Sequence, residues 1–243
     1  MAAAAYKRVI LKLSGEALKG PMDYGIDPAT IQSLAAQVLD VVQTGVQLGI
    51  VVGGGNIFRG VAGQASGMNR SVADHIGMLG TMINALSLQE AVERLGMGAR
   101  VMSAIEMNEV AEPYIRRRAM AHLDKGLVVI FACGTGNPYF STDTAGALRA
   151  NEVEADVLMK ATKVDGIYTS DPTRDPNAAF LPEISYQDFL ARDLRAMDAS
   201  AVALCRESRL PVLVFNMTKP GNVLRAVRGE KIGTIIRGET DAD

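Results

Sequence analysis

The sequence predicts an α/β protein built on a largely parallel sheet with helices on both faces. Three observations predict it. Apolar strand-like runs alternate with helix-periodic segments along nearly the whole chain, the pattern of βα units. Three strands, at 8–13, 48–52 and 127–132, run straight into glycine-containing loops that carry donors or charges. No repeat, low-complexity tract or linker interrupts the 243 residues, a length suited to one large α/β domain.

The elements follow in order. After strand 8–13, the loop 14–26 contains Gly15, Gly20, Pro21 and Gly25 and is expected to be irregular. Asp27-Pro28 supplies an N-cap and a proline at the first helical position. Ile31, Leu34, Ala35, Val38 and Val42 then recur at helical spacing, and Gly45 stops the helix. Strand 48–52 opens into the second glycine loop. Residues 72–95 read as a long helix with two apolar stripes, one of Val72, Ile76, Leu79, Ile83 and Leu86, the other of Met78, Met82 and Ala85. A helix apolar on two sides is buried on two sides. That fits a central core helix and a subunit interface alike, and Gly77 and Gly80 allow a neighbour to come close.

A strand at 99–103 and a helix at 113–123 follow. The Arg116-Arg117-Arg118 run, without nearby aromatics, reads as a solvated helix face. Strand 127–132 leads to the third loop, and the helix at 143–151 points its N-terminus at that loop. A short strand at 157–159 ends at Lys160, before a turn-rich connection through Lys163–Pro172 and Asp175-Pro176-Asn177. Ser185 caps a short helix with Phe189 and Leu190. A helix at 199–208 follows Asp198. A strand at 212–215 precedes a last helix begun by Lys219-Pro220-Gly221, and the polar end at 240–243 is expected to fray. The single domain, 1–243, divides into two lobes near residue 155.

Composition narrows the function. Hydrophobic residues make up 48% and charged residues 21%, an ordinary globular mixture. The net charge of −2 gives no general pull toward nucleic acid or anionic membrane. Cys133 and Cys205 lie in apolar segments and read as buried free thiols of a reducing compartment. The start is too short for a signal sequence, and no apolar run reaches the roughly 18 residues of a membrane span. A cytoplasmic, soluble protein is expected.

The glycine loops carry the chemistry. Glycine lets backbone approach a ligand closely, and successive N–H groups then cradle phosphate oxygens. In Gly53-Gly54-Gly55-Asn56-Ile57-Phe58-Arg59-Gly60, three adjacent glycines exceed what a turn needs, and Arg59 adds a planar fork for phosphate. Lys12-Leu13-Ser14-Gly15 and the loop Gly134–Asp143 share the design, and ligands of open α/β sheets sit beyond the strands' carboxyl ends. One site built from all three loops is the economical reading. The P-loop pattern is absent, and Gly96-x-Gly98 stands in the wrong order for a dinucleotide fingerprint. His75 and His122 lack metal-ligand spacing, and no metal-ligand set of the protein's own is expected. Asp143 and Asp198 precede helices, where an N-cap role comes first, although carboxylate oxygens also suit Mg²⁺. The remaining parts, Lys12, Gly53–Gly55, Arg59, the 134–142 loop and Lys160, suit phosphoryl transfer, which needs positioning and charge stabilisation. No general base is required when the acceptor is an ionised phosphate.

These blocks, with Met68-Asn69-Arg70, Asp74-His75, Lys160-Ala161-Thr162-Lys163-Val164-Asp165-Gly166 and Val214-Phe215-Asn216-Met217, resemble the amino-acid-kinase superfamily over nearly the whole chain. Within it they are most similar to the bacterial uridylate (UMP) kinases. The resemblance implies a three-layer αβα sandwich, transfer of the ATP γ-phosphate to UMP to give UDP, and Mg²⁺ carried by ATP. It implies a homohexamer built from dimers, with GTP as an activator and UTP as an inhibitor. The acceptor lobe would be about 1–155 and the ATP lobe about 156–243. By similarity Lys12, Leu13, Ser14 and Gly15 hold ATP phosphates, with Gly55 and Arg59 at the phosphoryl junction and Thr162, Tyr168 and Asp171 toward ribose and adenine. Gly54, Asp74 and the loop Thr135, Gly136, Asn137, Pro138, Tyr139, Phe140, Ser141 and Thr142 bind UMP, Asp74 on the ribose hydroxyls. Lys160 matches a second catalytic lysine and Asp198 an aspartate that organises both lysines. The GTP-responsive loop corresponds to Gly20, Pro21, Met22, Asp23, Tyr24 and Gly25.

Two other readings are weighed. A superfamily kinase acting on a carboxylate or carbamate is opposed by the nucleoside-type blocks at 68–74 and 134–142. A non-catalytic nucleotide-binding protein is opposed by the presence of Lys12, Arg59, Lys160 and Asp198.

Overall fold

A computed structural model describes residues 4–58, 67–172 and 174–238. Strand β1 (Arg8–Leu13) is buried along its whole length. Residues buried on both faces are what a central strand of a parallel sheet requires. It pairs in parallel with β2 (Gln47–Val52) on one side and β6 (Val157–Thr162) on the other. Outward from β2 come β5 (Val128–Ala132), β3 (Ala99–Ser103) and β4 (Glu112–Pro113). Outward from β6 come β10 (Val212–Asn216), β11 (Thr234–Arg237) and β9 (Glu183–Ser185). All neighbours are parallel except β10 and β11. A separate two-stranded hairpin joins β7 (Ile167–Tyr168) to β8 (Phe180–Leu181).

Helices α1 (Pro28–Val42), α2 (Arg70–Glu93) and α7 (Asn222–Val227) cover one face. Helices α3 (Arg116–Asp124), α4 (Thr142–Glu152), α5 (Tyr186–Ala191) and α6 (Ala199–Ser208) cover the other. This is the expected αβα sandwich. Strand alternation divides the core accordingly: Val9, Leu11 and Leu13 face α1 and α2, whereas Ile10 faces the second layer. By the same alternation Lys12 and Lys160 point toward α4. Cys133 and Cys205 are both buried and free, and they sit on opposite faces of the sheet.

Local signals set the helices. Asp27 accepts from the Thr30 amide at 2.8 Å with proline next in line, as expected. Ser185 accepts from the Asp188 amide at 2.9 Å and starts α5. Helix α4 differs from expectation: Ser141 is its N-cap, accepting from the Asp143 and Thr144 amides, so Asp143 lies inside the first turn. Helix α2 buries its Met78, Met82 and Ala85 stripe against the sheet, while Val72, Leu79 and Ile83 are about half exposed at 51, 49 and 47%. No helix among the described residues is long and apolar enough to cross a membrane. The expectation for 240–243 lies outside the described residues.

Candidate active site

The strands β5, β2, β1 and β6 are consecutive in the sheet, so the loops leaving their carboxyl ends are neighbours. The first two loops touch through backbone: the Gly53 amide donates to the Leu13 carbonyl at 2.8 Å. Gly15 is held so close that a Cβ there would stand 2.4 Å from Asn56 Oδ1 and 2.7 Å from the Gly53 carbonyl. Gly54 likewise lies against α2, where a Cβ would meet the Gly77 carbonyl at 2.5 Å. Gly80 of α2 admits this loop, since a Cβ there would stand 3.2 Å from the Gly54 carbonyl, whereas one at Gly77 would meet nothing within 4 Å. Asn56 and Asn84 exchange hydrogen bonds through their side-chain amides at 2.9 and 2.7 Å, both buried. Asn84 also donates to the Gly53 carbonyl and Asn56 to the Gly25 carbonyl.

The charges lie beside these loops. Parallel pairing sets Lys12 directly opposite Lys160. Asp143, from the first turn of α4, sits between them. Its Oδ1 forms an ion pair with Lys12 Nζ at 2.7 Å, without hydrogen-bond alignment. Its Oδ2 accepts from Lys160 Nζ. Burial works against ionisation of Asp143, but the two ammonium groups outweigh it and hold the carboxyl below its ordinary range. Burial lowers the pKa of Lys160, and the Lys12 charge adds to that, against the attraction of Asp143 and, more weakly, Asp198.

Asp198, expected to organise both lysines, forms an ion pair with neither and acts on Lys160 only as a weaker attraction. The carboxylate that joins both lysines is Asp143. Asp198 is exposed at the start of α6, where its side chain makes no capping bond. The N-terminal turns of the two helices are tied by Thr144 and Ser200, whose hydroxyls lie 2.8 Å apart.

A cleft of about 930 Å³ opens on this cluster, lined by Lys12, Ser14, Lys160 and Thr162 on one side. The other side is the polar flank of α1, Thr30, Ser33 and Gln37, which the sequence reading did not assign. Tyr168 and Asp171 do not line this cleft. Tyr168 packs edge-on against Phe180 in the β7–β8 hairpin, and Asp171 faces Arg174 at 3.5 Å. A second cavity gathers Gly54, Gly55, Asp74, Thr135, Phe140 and Thr142, so the second and third loops meet there. Asp74 pairs with Arg70 at 2.8 Å and accepts from the Tyr139 amide at 2.8 Å. Ser141 also lines this cavity, whereas Gly136, Asn137, Pro138 and Tyr139 do not. The side chains of Thr135 and Asn137 bond within their own turn. Of the loop 20–25, only Gly20 borders the large cleft. Arg59 and Gly60 lie outside the described residues.

A parallel α/β sheet with glycine loops and two lysines gathered at its strand ends is the architecture of a phosphoryl-transfer enzyme. The chain belongs to the amino acid kinase family, whose model matches residues 7–216, and it is a kinase. It is similar to the UMP kinase of Bacillus anthracis at 40% identity, over 97% of each chain, with a TM-score of 0.94. It is 37% identical to the UMP kinase of Ureaplasma parvum over 95% of this chain and 98% of that one, with a TM-score of 0.90. The uridylate kinase of Archaeoglobus fulgidus is 29% identical over 94% of this chain and 99% of its own, with a TM-score of 0.72.

Proposed function

We propose that this kinase transfers the γ-phosphoryl group of ATP to UMP, giving UDP. The observation that carries the reading is the Lys12–Asp143–Lys160 cluster, which borders a cleft large enough for a nucleotide and adjoins the glycine loop. The identity shared with the UMP kinases above supports the choice of acceptor. In this reading ATP occupies the large cleft, with its phosphates against Lys12, Ser14, Gly15 and Gly55. UMP occupies the cavity beside Gly54, Asp74 and the 134–142 loop, so residues to about 155 serve the acceptor and later residues the donor.

The transferring group spreads negative charge over its oxygens. Two ammonium groups offset that charge without having to reorganise, because Asp143 already holds them. Arg59 adds a bidentate partner at the junction. Among the described residues no three His, Cys, Asp or Glu side chains are grouped to hold a metal ion. Asp143 is engaged by both lysines. In this reading Mg²⁺ enters as part of the MgATP substrate. The acceptor is an ionised phosphate, so its oxygen attacks without a general base.

The enzyme acts in the cytoplasm as a homohexamer assembled from dimers. The outer stripe of α2 forms a subunit contact, and GTP activation and UTP inhibition act on the assembly, the former through Gly20–Gly25. The deciding experiment is a coupled assay with MgATP and UMP, CMP, AMP, acetylglutamate, aspartate or carbamate as acceptor. Turnover of UMP far above the others is expected, because a site that hydrogen-bonds a specific edge rejects analogues lacking it. Equal turnover of CMP, or preference for a carboxylate, refutes the assignment.

A further inference from the structure

Arg149 lies outside every motif singled out from the sequence and lines neither cavity, yet it is one of the few buried charges of the protein, 4% exposed. It projects from α4, whose first turn carries Asp143. Its guanidinium carbon lies 3.8 Å from the centroid of the Tyr114 ring. Nη1 donates to Glu152 at 2.6 Å, and Nη2 reaches the Gly134 carbonyl at 3.3 Å. The frame around it is tight: the Tyr114 hydroxyl donates to the same Glu152 oxygen at 2.7 Å, and the Tyr114 ring packs edge-on against Phe131 of β5.

The carbonyl it holds belongs to an unusual turn. Cys133 and Gly134 have φ of 61° and 58°, and the Gly136 amide closes the turn on the Cys133 carbonyl at 2.9 Å. A non-glycine residue at positive φ is disfavoured and persists when its surroundings over-determine it. The surroundings here are two side chains from opposite layers. Thr81 of α2 accepts from the Cys133 amide at 2.7 Å, and Arg149 of α4 donates to the next residue's carbonyl. The loop that leaves this turn forms one wall of the second cavity.

We infer that Arg149 is a positioning residue for the acceptor loop: by clamping the Gly134 carbonyl from behind, it sets the affinity and pyrimidine selectivity of a site it does not touch. The inference rests on the reading of that cavity as the UMP site. A planar fork stacked on Tyr114 directs one N–H at Glu152 and another at Gly134, whereas an ammonium lacks that geometry.

The test is steady-state kinetics of wild type, Arg149→Lys, Arg149→Met and Glu152→Gln, with thermal unfolding to establish that each variant is folded. The wild type should prefer UMP; if it does not phosphorylate UMP, the acceptor reading fails and takes the inference with it. Given wild-type UMP turnover, Arg149→Lys should raise the KM for UMP about tenfold or more, the loss expected for one charge-assisted hydrogen bond. It should also narrow the UMP-to-CMP preference, leaving the KM for ATP and kcat at saturating UMP within about twofold. Arg149→Met should do the same more strongly. Glu152→Gln, which keeps the guanidinium but loosens its frame, should give a smaller rise in the same parameter and serves if both Arg149 variants misfold. A folded Arg149→Lys enzyme with an unchanged KM for UMP, or with both substrates affected equally, overturns the positioning role.

Discussion

Lys12 and Lys160 are register partners on adjacent parallel strands, pointing to the same face of the sheet. Like charges directly opposite one another are destabilising, and here both are nearly buried, with side-chain exposures of 10 and 14%. Asp143 is what makes the pairing tenable. A carboxylate delivered by a helix, between two cations fixed by strand register, gives a cluster with net positive charge aimed at the cleft.

The catalytic consequence is asymmetric. Lys12→Ala should lower kcat by about 10²–10³ while changing UMP binding little, because preorganised charges act chiefly on the transition state. Asp143→Asn should lower kcat too, by disordering both lysines, and should also destabilise the fold by about 3–5 kcal/mol, the cost of breaking a buried ion pair from one side. Asp198→Asn should have a much smaller effect on both. Steady-state kinetics with chemical denaturation separates the three, and a folded Lys12→Ala enzyme with near wild-type kcat would falsify the mechanism.

Stability should respond to acid through Asp143. Its native pKa lies below the unfolded value of about 3.9, so below that pH the unfolded chain binds more protons and stability falls as pH falls. The contribution is complete above about pH 4 and is lost through the lower native value. The stability gap between wild type and Asp143→Asn should therefore shrink on acidification, as urea titrations at stepped pH can measure. A gap independent of pH contradicts the cluster.

Lys160 shifts stability in the same direction with pH but at the alkaline end, and here the charged form is the one that folding disfavours. Burial lowers its native pKa, so the unfolded chain holds the proton to higher pH, and the cost of burying the charge is relieved as pH rises through the native value. The alkaline limb of kcat/KM, which reports the free enzyme, should lie below the ordinary lysine value of about 10.4, and Asp143→Asn should move it lower still. A limb at or above the ordinary value speaks against burial lowering the pKa of Lys160.

Assembly should depend on the outward stripe of α2. Leu79→Glu with Ile83→Glu should reduce the particle size seen by light scattering and leave the circular dichroism unchanged, since both side chains are about half exposed. Met82, at 4% exposure, is a core residue whose charged replacement should unfold the chain. A wild type that is monomeric at micromolar concentration removes the interface.

Much of this was legible in the sequence because the signals were local. Asp27-Pro28 and Ser185 announce helix starts, and unbroken apolar runs such as 9–11 and 128–132 announce buried parallel strands. The strands β4, β7, β8 and β9 were not legible, since two or three residues carry no period. β6 was read as ending at Lys160, yet it continues to Thr162, because pairing with β1 and β10 holds the polar residues in the ladder. The glycine loops and the two lysines were found because their residue types sit at strand ends. Arg149, Thr81 and the Asn56–Asn84 pair were missed because each works across 15 to 52 residues of sequence. Asp143 over Asp198 turns on the same limit: both precede or open a helix, and only packing decides which helix reaches the lysines.

The Asn56–Asn84 pair works as a pin joining three separate segments of the chain. One amide grips the turn at Gly25, the other grips Gly53, and they grip each other where both side chains are buried. Withdrawing either leaves a buried donor and acceptor without their partners. Gly25, the turn at Gly53–Asn56 and the middle of α2 are therefore tied to one another through a single side-chain pair.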